Sequence, residues 1–132
     1  MPVMVDSNII FDITTDDPVW ADWSESQITI CQSRGLVVNP VIYCELCTNA
    51  RTTGEVDDLL VKLRLELLEP AREALFIAAK AFLKYRKQGG TKTAPLPDFF
   101  IGAHAQALGI PILTRDVGRY ATYFPAVELI SP

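Results

Sequence analysis

Histidine is nearly absent from this chain and cysteine is scarce. The 132 residues hold one histidine, His104, and three cysteines, Cys31, Cys44 and Cys47. Cys44 and Cys47 form a C-x-x-C, but a second pair is missing and the one histidine is far away. A structural zinc site is therefore not expected. An odd number of cysteines, all in apolar sequence, fits a reduced cytoplasmic protein better than a disulfide scaffold. Core packing is the expectation for all three, with redox or zinc chemistry as the alternative. No apolar run approaches the ~20 residues that cross a bilayer. Met1 leads directly into Pro2-Val3-Met4-Val5-Asp6, without a basic n-region or a cleavage-like site, so no signal peptide is expected. There is no internal repeat, low-complexity tract or interdomain linker. A long basic patch is also missing. Twelve Lys and Arg against sixteen Asp and Glu leave a net charge of −4, which argues against the broad basic surface of a typical nucleic-acid binder.

What is present is apolar sequence in short runs. The chain is 49% hydrophobic and 21% charged, a balance that folds, and its length fits one domain over residues 1–132. Val3 to Val5 is apolar without alternation, as in a buried parallel strand. A helix is expected from Ser7, with Asp6 or Ser7 at its cap. Asp16-Asp17-Pro18 signals a second start, for a helix over 19–34 that Gly35 stops. Leu36 to Asn39 is the next strand, and Pro40 opens a helix to about Ala50. Val56, Leu59, Leu60, Leu63 and Leu67 keep helical spacing, and 67–70 is a short strand or turn. Residues 71–87 form a long helix with Ala74, Leu75, Ala78, Phe82 and Tyr85 on one stripe. Residues 88–93 are a polar loop. A helix over 98–108 ends at Gly109; strands follow at 110–113 and 127–130. Strands alternating with helices predict an α/β fold: a three-layer α/β/α sandwich around a mainly parallel sheet of four to five strands. The stripes at 56–67 and 74–85 are core, or in part a surface for a second copy of the chain.

Four carboxylates stand where apolar sequence does not expect them. Asp6 ends Val3-Met4-Val5. Glu45 is the only charged residue between Leu36 and Ala50. Asp98 follows Pro95-Leu96-Pro97 and opens Phe99-Phe100-Ile101. Asp116 closes Ile110-Pro111-Ile112-Leu113-Thr114-Arg115. A charge buried without a partner costs several kcal/mol, so each needs compensation. In open parallel sheets, sites form at the carboxyl ends of strands. Asp6 and Asp116 follow strands directly, Asp98 sits at a helix start over the same edge, and Glu45 leans back from the second turn of its helix. One rim therefore has room for all four. Taken singly, Asp6 is also a helix cap, Asp98 a favourable first-turn charge and Asp116 a turn residue; Glu45 is the hardest to explain this way.

Carboxylates with no supporting His or Cys suit hard, oxygen-seeking cations, Mg²⁺ or Mn²⁺, which also bind substrate phosphates. In a hydrolase such an ion activates water and stabilises charge on phosphorus, which points to phosphodiester hydrolysis. Asn8 and Thr114 are placed to orient a water or a carboxylate, or else serve as cap and turn residues. The four acids account for the whole net charge, so the rest of the surface does not strongly repel phosphate.

These residues resemble a known family. Val5-Asp6-Ser7-Asn8, Glu45 in its apolar helix, Pro95-Leu96-Pro97-Asp98-Phe99-Phe100-Ile101-Gly102-Ala103-His104-Ala105 and Ile112-Leu113-Thr114-Arg115-Asp116 are similar to PIN-domain proteins, and more narrowly to VapC-type toxins of bacterial toxin–antitoxin pairs. The resemblance covers nearly the whole chain. It implies a metal-dependent endoribonuclease that leaves a 5′-phosphate and a 3′-hydroxyl. Asp6, Glu45, Asp98 and Asp116 would be its catalytic residues, binding one or two Mg²⁺ or Mn²⁺ ions. It further implies a homodimer, an RNA substrate and a cognate antitoxin whose tail covers the active groove; no membrane partner is expected, since no apolar run is long enough to span a bilayer. Bulky Phe99 and Phe100 stand where many members carry smaller residues. Lys92, Arg115 and Arg119 are candidate RNA contacts, with solvated surface charge as the plainer reading. A PIN-like module that binds RNA or protein without cutting is the alternative function. A haloacid-dehalogenase-type phosphatase ranks lower, because Asn8 stands where its second Asp belongs.

Overall fold

The computed structural model describes residues 1–132. Five parallel strands form one sheet in the order β3-β2-β1-β4-β5. They are β1 (Val3–Val5), β2 (Leu36–Val38), β3 (Leu65–Leu67), β4 (Ile112–Leu113) and β5 (Leu129–Ile130). The three central strands carry almost no polar side chain because both faces of the sheet are covered. Seven α-helices make the outer layers: α1 (Ser7–Thr14), α2 (Ala21–Cys31), α3 (Pro40–Cys47), α4 (Thr53–Leu63), α5 (Arg72–Lys87), α6 (Pro97–Leu108) and α7 (Gly118–Tyr123).

The order of strands sets the layers. From β1 to β3 the chain steps one way across the sheet; from β3 through β4 to β5 it steps the other way. Right-handed crossovers then place α1–α4 on one face and α5–α7 on the other. The fold is thus the expected three-layer sandwich. The direction reverses between β1 and β4, and a crevice opens beyond the carboxyl ends of strands at such a reversal. Asp6 and Thr114 are the residues that leave β1 and β4 there, and the Asp6 amide donates to the Leu113 carbonyl across the pair.

Local chemistry explains most boundaries. Asn39 caps α3 by accepting from the Ile42 amide at 2.9 Å, with Pro40 at the first helical position. Thr52 caps α4. Asp17 accepts from the Val19 and Trp20 amides at 2.9 Å and closes the turn before α2. Three details depart from expectation. The helical spacing through Leu67 is interrupted at Arg64, whose φ of 59° is left-handed, so α4 stops and β3 begins at Leu65. The helix expected over 19–34 begins at Ala21, and its last residues, Gln32–Arg34, tighten into a 3-10 turn. Helix α7 has no counterpart in the sequence reading.

The core joins the sheet to both layers. Its α5–α7 side is aromatic: the Phe99 ring meets Phe82, Tyr85, Tyr123 and Phe124 at centroid distances of 5.4–6.4 Å. Bulky Phe99 is therefore the hub of this layer. Gly102 on α6 lies against the Phe124 ring with no room for a Cβ, which pins the end of α7. Of the cysteines, Cys31 is buried as expected, but Cys44 is exposed and Cys47 only partly covered. His104 is buried on α6 with its Nδ1 unpartnered, and burial pushes its pKa down. No helix is long and apolar enough to cross a membrane.

Candidate active site

The four singled-out acids come from four elements. Asp6 is the N-cap of α1, Glu45 lies in α3, Asp98 in the first turn of α6, and Asp116 in the loop between β4 and α7. Each feels the charge of at least two others. Asp116 and Asp6 repel, Asp6 and Asp98 both repel Glu45, and Asp6 and Asp116 both repel Asp98. The topology has brought the four to one rim at the reversal between β1 and β4.

Asp6 is the best-held of them, at 5% exposure. Its Oδ1 accepts from the Ser7 amide at 2.8 Å. Its Oδ2 accepts from the hydroxyls of Thr114 and Tyr120, both at 2.9 Å, and from Asn8 Nδ2 at 3.4 Å. Thr114 joins the two strand ends, since its Oγ1 also accepts from the Asp116 amide at 3.0 Å and from Asn8 at 3.2 Å. Asn8 Oδ1 accepts from the Arg115 amide at 3.2 Å. Glu45 accepts from the Ser7 hydroxyl at 3.1 Å.

The electrostatics are those of a site short of positive charge. Burial raises the pKa of Asp6, and Asp116 adds to the rise; the Thr114, Tyr120 and Ser7 hydrogen bonds oppose it. Burial raises Glu45, helped by Asp6 and Asp98 and opposed by the Ser7 hydroxyl. Burial raises Asp98, helped by Asp6 and Asp116 and opposed by Arg119. Arg119 is the cation nearest the cluster, 3.7 Å from Asp98 Oδ2. Its guanidinium rests on the Tyr85 and Phe99 rings at 5.5 and 5.7 Å. An open cleft of about 460 Å³ runs from the rim, lined by Asp98, Asp116, Arg119, Tyr85 and Tyr123 among others. No three His, Cys, Asp or Glu side chains are arranged to hold a metal ion as they stand. Asp6 is held by hydroxyls and an amide, Glu45 by the Ser7 hydroxyl and Asp98 by Arg119.

The sequence-predicted RNA contacts separate. Arg119 lies in the cleft. Lys92 is exposed in the loop before α6, its carbonyl held by Arg86 at 2.9 Å. Arg115 is occupied: Nε and Nη2 donate to the two oxygens of Asp12 at 2.7 Å, and the guanidinium lies 5.1 Å from the Trp20 ring centre. Asp12 also accepts from the buried Ser24 hydroxyl at 2.7 Å. This buried knot ties the Thr114–Asp116 loop to α1 and α2.

Three residues here fall outside the sequence reading. Asp12, between Phe11 and Ile13, meets the same test that singles out Glu45, an acid in an apolar run. Ser7 reads from the sequence as a cap, with no sign of its contact to Glu45. Tyr120 carries no local signal.

A model of the PIN domain matches residues 3–124. The chain belongs to the PIN-domain family. Curated proteins provide no match to it. Among solved structures, this PIN domain is similar to DNA-bound VapBC from Salmonella typhimurium, with a TM-score of 0.74 at 17% identity, covering 99% of this chain and 98% of that one. VapBC-1 from nontypeable Haemophilus influenzae gives 0.73 at 20% identity over 99% and 98% of the two chains. FitAcB from Neisseria gonorrhoeae gives 0.69 at 20% identity over 98% and 97%. At these identities the likeness is one of fold.

Proposed function

We propose that this PIN domain is the toxin of a type II toxin–antitoxin pair and acts as a metal-dependent endoribonuclease. The observation that carries the reading is the gathering of Asp6, Glu45, Asp98 and Asp116, from four separate elements, at the one sheet edge where α/β folds build sites. Three of the four are raised in pKa by burial and by one another, a perturbation that clusters at functional sites. Membership of the PIN family supports a nuclease. The VapBC names of the structural neighbours support an antitoxin partner.

The donor set is all oxygen and carries excess negative charge, which fits Mg²⁺ or Mn²⁺. Asp6, Glu45, Asp98 and Asp116 would hold the ion. When bound, such an ion lowers the pKa of water and neutralises charge on the phosphoryl group. The chain's own groups do the rest. Thr114 and Asn8 keep Asp6 and the Asp116 backbone in register. Arg119 lines the cleft and would meet a phosphodiester there, and Lys92, whose amide donates to the Tyr85 hydroxyl, would add charge at its margin. Arg115 contributes mainly by holding its loop. Leu75, Phe76 and Leu83 leave an exposed apolar strip on α5, which supports a homodimer.

The test is cleavage of structured RNAs by purified protein with Mn²⁺ and with EDTA. Cleavage is expected only with the metal, and is lost in Asp6→Asn and Asp98→Asn. Persistence in EDTA, or unchanged cleavage by both variants, would overturn the mechanism. A catalytically silent PIN-like RNA- or protein-binding module is the second reading, favoured by the absence of a preformed ligand triad. Calorimetry that finds no divalent binding selects it.

A further inference from the structure

Tyr120 is 1% exposed, and its hydroxyl reaches Asp6 Oδ2 at 2.9 Å across 114 positions of sequence. A hydroxyl buried on an aromatic ring needs a partner, and this one has a carboxylate of the candidate metal site. The two Asp6 oxygens are loaded unequally. Oδ2 accepts from Thr114, Tyr120 and, at longer range, Asn8; Oδ1 accepts only from the Ser7 amide. Each carboxylate oxygen offers about two lone-pair sites. Oδ2 is saturated, and Oδ1 keeps one site.

We propose that Tyr120 is a positioning residue. With Thr114 it fixes the rotation of the Asp6 carboxylate and saturates Oδ2, so that Oδ1 is the oxygen presented to a divalent ion. This rests on the metal-site reading above. Two features make α7 fit for the task. Its far end is pinned where Phe124 closes on Gly102. Its neighbouring residues divide the work: Arg119 lies by Asp98 while Tyr120 holds Asp6. Supporting groups that lock a ligand's orientation typically change metal affinity by about 10- to 100-fold when removed.

Tyr120→Phe keeps the ring and deletes only the hydroxyl. Mn²⁺ binding to the metal-free protein, without RNA, is measured by calorimetry for wild type and variant, with circular dichroism confirming the fold. The variant is expected to bind Mn²⁺ about ten-fold more weakly. Its cleavage midpoint in Mn²⁺ shifts by the same factor, while the rate at saturating metal stays near wild type. A folded variant with wild-type Mn²⁺ affinity overturns the role of Tyr120 and leaves the metal site standing. A wild type that binds no Mn²⁺ overturns both. Should the variant not fold, the Tyr120 hydroxyl proton is followed by NMR in wild type as Mg²⁺ is added. A shift tracking metal binding supports the role, and an unmoved resonance overturns it.

Discussion

Arg115→Met is expected to cost more than Asp12→Ala, although the two residues form one ion pair. The Asp12 side chain is 4% exposed and the Arg115 side chain 27%. Deleting the arginine strands a buried carboxylate with only the Ser24 hydroxyl as donor. Removing one partner of a buried pair costs about 3–5 kcal/mol. Because Arg115 is partly exposed, water reaches the vacated side, and about 3 kcal/mol is the better figure. Deleting the carboxylate instead frees a guanidinium that can turn to solvent while staying near Trp20, and orphans one buried hydroxyl, at about 1–2 kcal/mol. The double variant should resemble Asp12→Ala, so the coupling should approach the full cost of Arg115→Met, about 3 kcal/mol. For a domain of this size 3 kcal/mol corresponds to a loss of about 10 °C in Tm. Urea denaturation followed by circular dichroism in EDTA measures the cycle. If Arg115→Met costs under ~0.5 kcal/mol, or the two changes simply add, the knot is not what holds this loop.

Two further predictions concern the acids themselves. Asp98→Asn should stabilise the metal-free protein by roughly 1 kcal/mol at neutral pH, because it removes a charge that burial and two neighbouring carboxylates disfavour; a lower Tm in EDTA than wild type contradicts it. That advantage should shrink as pH falls towards the ordinary carboxylate range. The raised Asp98 pKa means native wild type takes up a proton there before the unfolded chain does, so wild type gains stability relative to the variant as pH falls. Melting curves of both proteins from pH 8 to pH 5 read this difference, and His104, titrating alike in each, cancels from it. A gap that is constant or widens on acidification refutes it.

Much of the fold was legible because its strands are short apolar runs without alternation, and only a sheet covered on both faces makes that pattern cheap. Val3–Val5 and Leu36–Val38 were readable for this reason. The end of α4 was not, because Leu63 and Leu67 keep helical spacing and nothing local announces that Arg64 turns left-handed. Helix α7 was missed because six residues beginning with glycine carry no start signal and no full apolar face. The acids were legible as chemistry, since a lone charge in an apolar run demands an explanation. The same test applied to Asp12 finds a buried ion pair rather than a rim acid, so it detects burial and not function. Tyr120 stayed hidden because its meaning lies wholly in a contact with a residue at the other end of the chain.

The proposed site has Asp6, Glu45, Asp98 and Asp116 sharing a divalent cation. Its most direct test is a crystal of the metal-free protein soaked in Mn²⁺ and measured for anomalous scattering. An anomalous peak is expected at the rim between β1 and β4, within ligand distance of Asp6 Oδ1 and at least one of the other three acids, with no such peak in Asp6→Asn. Mn²⁺ found only at other surface carboxylates, such as Asp57 and Asp58, or a rim peak that survives Asp6→Asn, would contradict it.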